Sequence, residues 1–143
     1  MNYDSMYYRI NQRSMKQYKV KKLMNEAKKL NVTDAYLTET LASFSKMDPK
    51  DRQKYALGAG LYKLRLATHE GKGKSGGSRT ILAFKEAHRT VWLHIFPKND
   101  KENISSAELK KLKLLSGIFM SMSVEEIARL INNHELYEVN EHV

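Results

Sequence analysis

Between Gly71 and Arg79 the chain reads Gly-Lys-Gly-Lys-Ser-Gly-Gly-Ser-Arg, three cations among four glycines and two serines. Glycine lets backbone approach a ligand closely, so the N–H groups of such a loop, with Lys72 and Lys74, can grip a phosphodiester. The plain alternative is a solvated turn. A nucleotide-binding P-loop does not fit. Its first glycine would fall at Thr68, and the segment that follows reads as a strand where that motif needs a helix. Arg65 and Arg79 flank the loop and can stand side by side in an antiparallel pair, where two guanidiniums call for an anion. Taken singly, each is an ordinary surface arginine.

His94 is expected on a strand with Trp92 and Phe96 on its face and Leu93 and Ile95 opposite. A hydrogen-bonded sheet histidine is its plainest reading. Lys98 and Asn99 leave the end of that strand, where a lysine can bind phosphate or, among other cations, lose its proton and act as a base; an ordinary loop lysine is the plain alternative. The histidines, His69, His88, His94, His134 and His142, have no H-E-x-x-H spacing and no acidic cluster, so neither a metal nor another cofactor is expected. Trp92 and Tyr62 could stack on bases, but single aromatics on strands more often belong to a core.

The elements that must hold these residues follow from periodicity. Tyr18, Leu23, Ala27 and Leu30, with Lys19, Lys21, Lys22, Lys28 and Lys29 between them, predict a basic amphipathic helix over 14–30. Thr33 can cap a second helix, which should stop near Lys46, ahead of Pro49. From Leu61 the period becomes two: Tyr62, Leu64 and Leu66 alternate with Lys63, Arg65 and Ala67. Further strands are expected over 80–85 and 90–96, which completes an antiparallel meander. Ser105 can cap a helix to about Met120, and Ser123 with Glu126 forms a capping box for a last helix, 124–133. Residues 136–139 could return as a short edge strand.

Length and composition bound the rest. A chain of 143 residues suits a single domain, 1–143, with 1–17 as an irregular leading extension. The absence of cysteine excludes disulfides, thiol nucleophiles and sulfur-ligated metals. No apolar run suits a membrane span or a secretory signal, so a cytoplasmic protein without membrane partners is expected. The net charge of +9 favours polyanionic partners. It is uneven: residues 102–143 carry −3, while the short middle stretch 61–101 carries +6. Lys19, Lys21, Lys22, Lys28 and Lys29 could engage RNA, or could form a solvated helix face.

Read together, LYKLRLA, GKGKSGGSRTILAF, WLHIFPKNDKENIS and the closing LYEV resemble the RelE branch of the RelE/ParE superfamily of toxin–antitoxin toxins. The resemblance covers about residues 18–140. The chain departs from the pattern at Pro97, where a small residue is commoner, and at Ser78, where an aromatic often precedes the arginine. The resemblance implies an α+β fold, a small twisted antiparallel sheet with helices packed on one face. It further implies a ribosome-dependent mRNA endoribonuclease that inhibits translation, with mRNA and the 70S ribosome as targets and a cognate antitoxin as partner.

In such a reaction the RNA 2′-OH attacks the adjacent phosphate and no metal is required. Arg65 and Arg79 would stabilise the phosphorane charge, with Lys72 and Lys74 contributing and including the general base. Lys98 or His94 would be the general acid. Lys19, Lys22, Lys63 and Asn99 would contact RNA. The rival readings are a ParE-like inhibitor of DNA gyrase and a non-catalytic basic module that binds nucleic acid or antitoxin.

Overall fold

The computed structural model describes residues 16–66, 77–98 and 104–140. Six strands form one sheet in the order β2-β3-β4-β5-β1-β6. They are β1 (Lys16–Val20), β2 (Ala56–Gly58), β3 (Leu61–Arg65), β4 (Ser78–Lys85), β5 (Arg89–Pro97) and β6 (Leu136–Glu138). The helices are α1 (Lys21–Leu30), α2 (Asp34–Ser45), α3 (Pro49–Arg52), α4 (Ser106–Ser121) and α5 (Val124–Asn132). The fold is α+β, and every strand pair is antiparallel except β1 with β5.

The meander β3-β4-β5 forms where the period of two lies. The caps act as their residue types dictate: Thr33 Oγ1 accepts from the Tyr36 N–H, Ser105 Oγ from the Glu108 N–H, and Ser123 with Glu126 closes a reciprocal capping box. Helix α2 ends at Ser45 with Lys46 as its cap. β6 lies at the sheet edge, paired with β1.

Three expectations are corrected. Residues 16–20 form a strand, and only 21–30 are helical. The helical spacing of the lysine-rich stretch runs on past Val20, but β1 fills the slot between β5 and β6, and Gln17 Oε1 there accepts the buried Trp92 Nε1–H at 3.0 Å. Tertiary pairing overrides local spacing. Lys16 and Gln17 therefore belong to the sheet and not to a leading extension.

Second, the helices cover both faces of the sheet. Leu23, Ala27, Leu37, Leu41 and Phe44 of α1 and α2 pack with Leu64, Leu82, Phe84 and Trp92. Leu112, Phe119 and Ile127 of α4 and α5 pack with Leu61, Ile81, Ala83 and Val91. Leu82 and Phe84 alternate with Ile81 and Ala83 along one strand, so two apolar faces exist and each needs a cover. Tyr62 belongs to the first layer, edge-on to Phe44 and Phe84.

Third, β2 and α3 form between Pro49 and Gly58, a stretch to which periodicity assigns no element. Asp48 caps α3 with Pro49 at its first turn. Gly58-Ala59-Gly60, all at positive φ, turn β2 into β3, a conformation that glycine adopts without steric cost. The Ala59 carbonyl accepts from Ser116 Oγ at 2.7 Å, which ties this turn to α4.

Candidate active site

The strand registers build the site. Arg65 is the Cα partner of Arg79, and Arg79 that of Phe96. On the next row of the same face Lys63 pairs with Ile81, and Ile81 with His94. Directly opposed residues of an antiparallel ladder project to one side, and diagonal neighbours lie within roughly 7–8 Å. Lys63, Arg65, Arg79, His94 and Phe96 therefore share one patch at an end of the sheet. Lys98, exposed, follows at the end of β5, where its backbone N–H donates to the Gly77 carbonyl at 3.0 Å and closes the β4–β5 pairing.

The expected neighbours of His94 are corrected. Pairing steps from Ile81–His94 to Leu82–Trp92 and leaves Leu93 as an extra residue in β5. Such a bulge breaks the alternation of faces. Trp92 consequently packs in the α1–α2 layer, and His94 stacks on Phe96 with ring centroids 5.1 Å apart. Leu93 and Ile95, expected on one face, are divided between the two layers.

Like charges directly opposed across strands are unfavourable. Arg65 and Arg79 nonetheless stand opposed, and two neighbouring guanidinium forks suit a planar phosphate edge. Arg65 and Lys98 are exposed, while Lys63, Arg79, His94 and Phe96 are half-buried; a cavity of about 400 Å3 between α2 and the end of β3 has mostly apolar walls and includes Arg65 of the patch. A cationic face with exposed Arg65 and Lys98 beside a stacked His94–Phe96 pair suits a chain-like anion.

One residue absent from the sequence expectations completes the geometry. Glu26, on α1 between the buried Leu23 and Ala27, places Oε2 and Oε1 at 3.0 and 3.2 Å from His94 Nδ1. Its Oε1 also accepts the Ile95 N–H at 2.9 Å, and its Oε2 accepts from Lys22 Nζ at 2.8 Å. The visible hint was a lone acid among lysines, four residues after Lys22; its partners lie in β5, far along the chain. Burial pushes the Glu26 carboxyl up, but the hydrogen bonds from His94, Lys22 and the Ile95 N–H outweigh it and hold the group below the ordinary glutamate value.

A depressed carboxyl contributes stability that is fully present above the unfolded-state value and lost as pH falls through the folded one. Urea unfolding should accordingly show wild type more stable than Glu26→Gln at neutral pH, with the gap closing as pH drops below about 4. A pH-independent gap would contradict this ionised, hydrogen-bonded state.

The remaining candidates are dispersed. Lys19 lies in β1 with its side chain 16% exposed and its ammonium 2.7 Å from Asp34, whose other oxygen accepts the Asn140 N–H. It joins two elements and is not gathered into the patch. Lys22 is 59% exposed and borders the patch through Glu26. Lys21, Lys28 and Lys29 are exposed on α1. His88 and His134 lie apart, near the Met120 carbonyl and the Tyr137 ring. Lys72, Lys74, Asn99, His69 and His142 are outside the described residues. Among the described residues no group of three His, Cys, Asp or Glu side chains could hold a metal, and no helix is long and apolar enough to cross a membrane.

Compared with known families, residues 15–139 match the sequence model of the RelE toxin of the RelE/RelB toxin–antitoxin system. No curated protein matches the chain.

Proposed function

The chain belongs to the RelE toxin family of the RelE/RelB toxin–antitoxin system, and from that membership we propose that it is a ribosome-dependent mRNA endoribonuclease that arrests translation in the cytoplasm. A toxin of such a system implies an antitoxin partner. The observation that carries the nuclease reading is the register that sets Arg65 beside Arg79 and Phe96, with Lys63 and His94 on the next row of the same face. A gyrase inhibitor has no evident need of converging cations beside a stacked imidazole.

The chemistry follows from the RNA. Its 2′-oxygen, deprotonated, attacks the neighbouring phosphorus, and negative charge builds on the phosphorane oxygens as the 5′-oxygen leaves. Arg65 and Arg79 are aimed at that charge, where fixed cations contribute most. Phe96 offers a stacking surface for a base beside the scissile phosphate. Lys72 and Lys74, which the sequence places between β3 and β4, remain the candidates for the base. His94 or Lys98 donates to the leaving oxygen. Lys22, Lys63 and Asn99 are proposed contacts to the RNA backbone.

The test is cleavage of a defined message by purified protein, with and without programmed ribosomes, across a salt series. Cuts that require ribosomes support the reading. Single-stranded RNA releases counterions with a slope of about 0.7 per phosphate contacted, so engagement of Lys63, Arg65, Arg79 and Lys98 should give a log–log salt slope for binding of about −3. A flat response, or intact message with trapped gyrase–DNA complexes, would refute it.

A further inference from the structure

We infer that Glu26 is a positioning residue that fixes His94 as the general acid of the cleavage step; this rests on the ribonuclease reading above. Strand β1 pairs with β5 only as far as Trp92, so the Ile95 N–H, beyond the last rung, lacks a strand partner on that side. Glu26 Oε1 accepts it at 2.9 Å, which anchors the carboxylate by a backbone bond. Leu23 and Ala27, buried on either side, seat the helix that carries it. The carboxylate is thereby held against His94 Nδ1.

That contact decides the tautomer. A carboxylate only accepts, so it requires Nδ1–H; an ammonium only donates, so the 3.2 Å approach of Lys22 Nζ to Nδ1 would require that nitrogen bare. Two carboxylate oxygens at 3.0 and 3.2 Å, and a Lys22 hydrogen already directed to Oε2 at 2.8 Å, favour Nδ1–H. Proton exchange is then left to Nε2, and the ring is kept in plane by Phe96.

In the step itself the P–O5′ bond breaks and the 5′-oxygen takes the Nε2 proton, leaving as a hydroxyl. The 2′-oxygen, its own proton already lost to the base, keeps its bond to phosphorus as a 2′,3′-cyclic phosphate. His94 ends neutral, with Nδ1–H still on Glu26, and regains a proton from water. Glu26 touches no substrate; it acts through the imidazole. Lys98, the other candidate acid, is exposed at the strand end.

The experiment compares single-turnover cleavage of two ribosome-bound messages, one ordinary and one with sulfur replacing the bridging 5′-oxygen at the cleaved phosphate. Sulfur leaves without being protonated. On the ordinary message His94→Ala should be slower by on the order of 10²–10⁴-fold, and Glu26→Gln by about tenfold or more, with Glu26→Asp recovering part of the rate. On the sulfur message all three should approach the wild-type rate, which also shows that each variant is folded. Equal defects of Glu26→Gln on both messages, or none on either, would overturn the inference. So would a pattern in which Lys98→Ala is rescued by sulfur while His94→Ala cleaves both messages normally. If wild type cuts neither message, the ribonuclease reading fails and the inference falls with it, an outcome distinct from a variant-specific defect.

Discussion

Arg79→Ala is expected to slow cleavage by on the order of 10²–10³-fold, the usual cost of removing one preorganised donor from a developing oxyanion. Arg79 is the middle member of the row Arg65–Arg79–Phe96, with a second cation on one neighbouring strand and an aromatic residue on the other. A point charge in that place does not reproduce a planar fork that meets two phosphate oxygens at once, so Arg79→Lys should recover only part of the rate. Single-turnover kinetics checks this, with the far-UV circular dichroism of each variant unchanged. The same substitution should relieve growth arrest on induction. Full toxicity from a folded Arg79→Ala protein would remove this residue from the chemistry.

The second large effect is on stability. Trp92 is fully buried, packs in the layer of Leu23, Phe44 and Leu82, and donates its Nε1–H to Gln17 Oε1 at 3.0 Å. It therefore joins β5 to the α1–α2 layer by apolar contact and to β1 by a buried hydrogen bond. Trp92→Ala should lower the unfolding free energy by about 3–5 kcal/mol through lost transfer energy and a residual cavity. With domain stabilities of about 5–15 kcal/mol, that is enough to compromise folding at growth temperature. Urea denaturation followed by circular dichroism reads it. A loss below about 1 kcal/mol would mean that the layer repacks around the gap.

These two residues also mark what the sequence made legible. Arg65 and Arg79 stand on either side of one hairpin connection, in strands with a clean period of two, so their apposition follows from local pattern. The α+β class and the caps at Thr33, Ser105 and Ser123 follow equally from local chemistry. By the same rule Trp92 and His94, two positions apart, would share a face, and the bulge at Leu93 separates them. A bulge leaves no mark in alternation, because it is chosen by the pairing of β4 with β5. The strand β1 was hidden in the same way: its partners, β5 and β6, come from distant parts of the chain. Glu26 was legible only as an acid among lysines, since what gives it meaning is a ring and a backbone N–H brought to it by the fold. Lys19 shows the converse, a cation that composition offers to RNA and the fold gives to Asp34.

The activity proposed for this patch is cleavage of message during translation. Mapping mRNA ends after brief induction of wild type and of Arg79→Ala, with translation blocked in a parallel culture, tests it most directly. New internal ends are expected in the wild-type culture, and they should vanish both with Arg79→Ala and with the block. Growth arrest without new ends, or ends that persist in the Arg79→Ala culture, would contradict it.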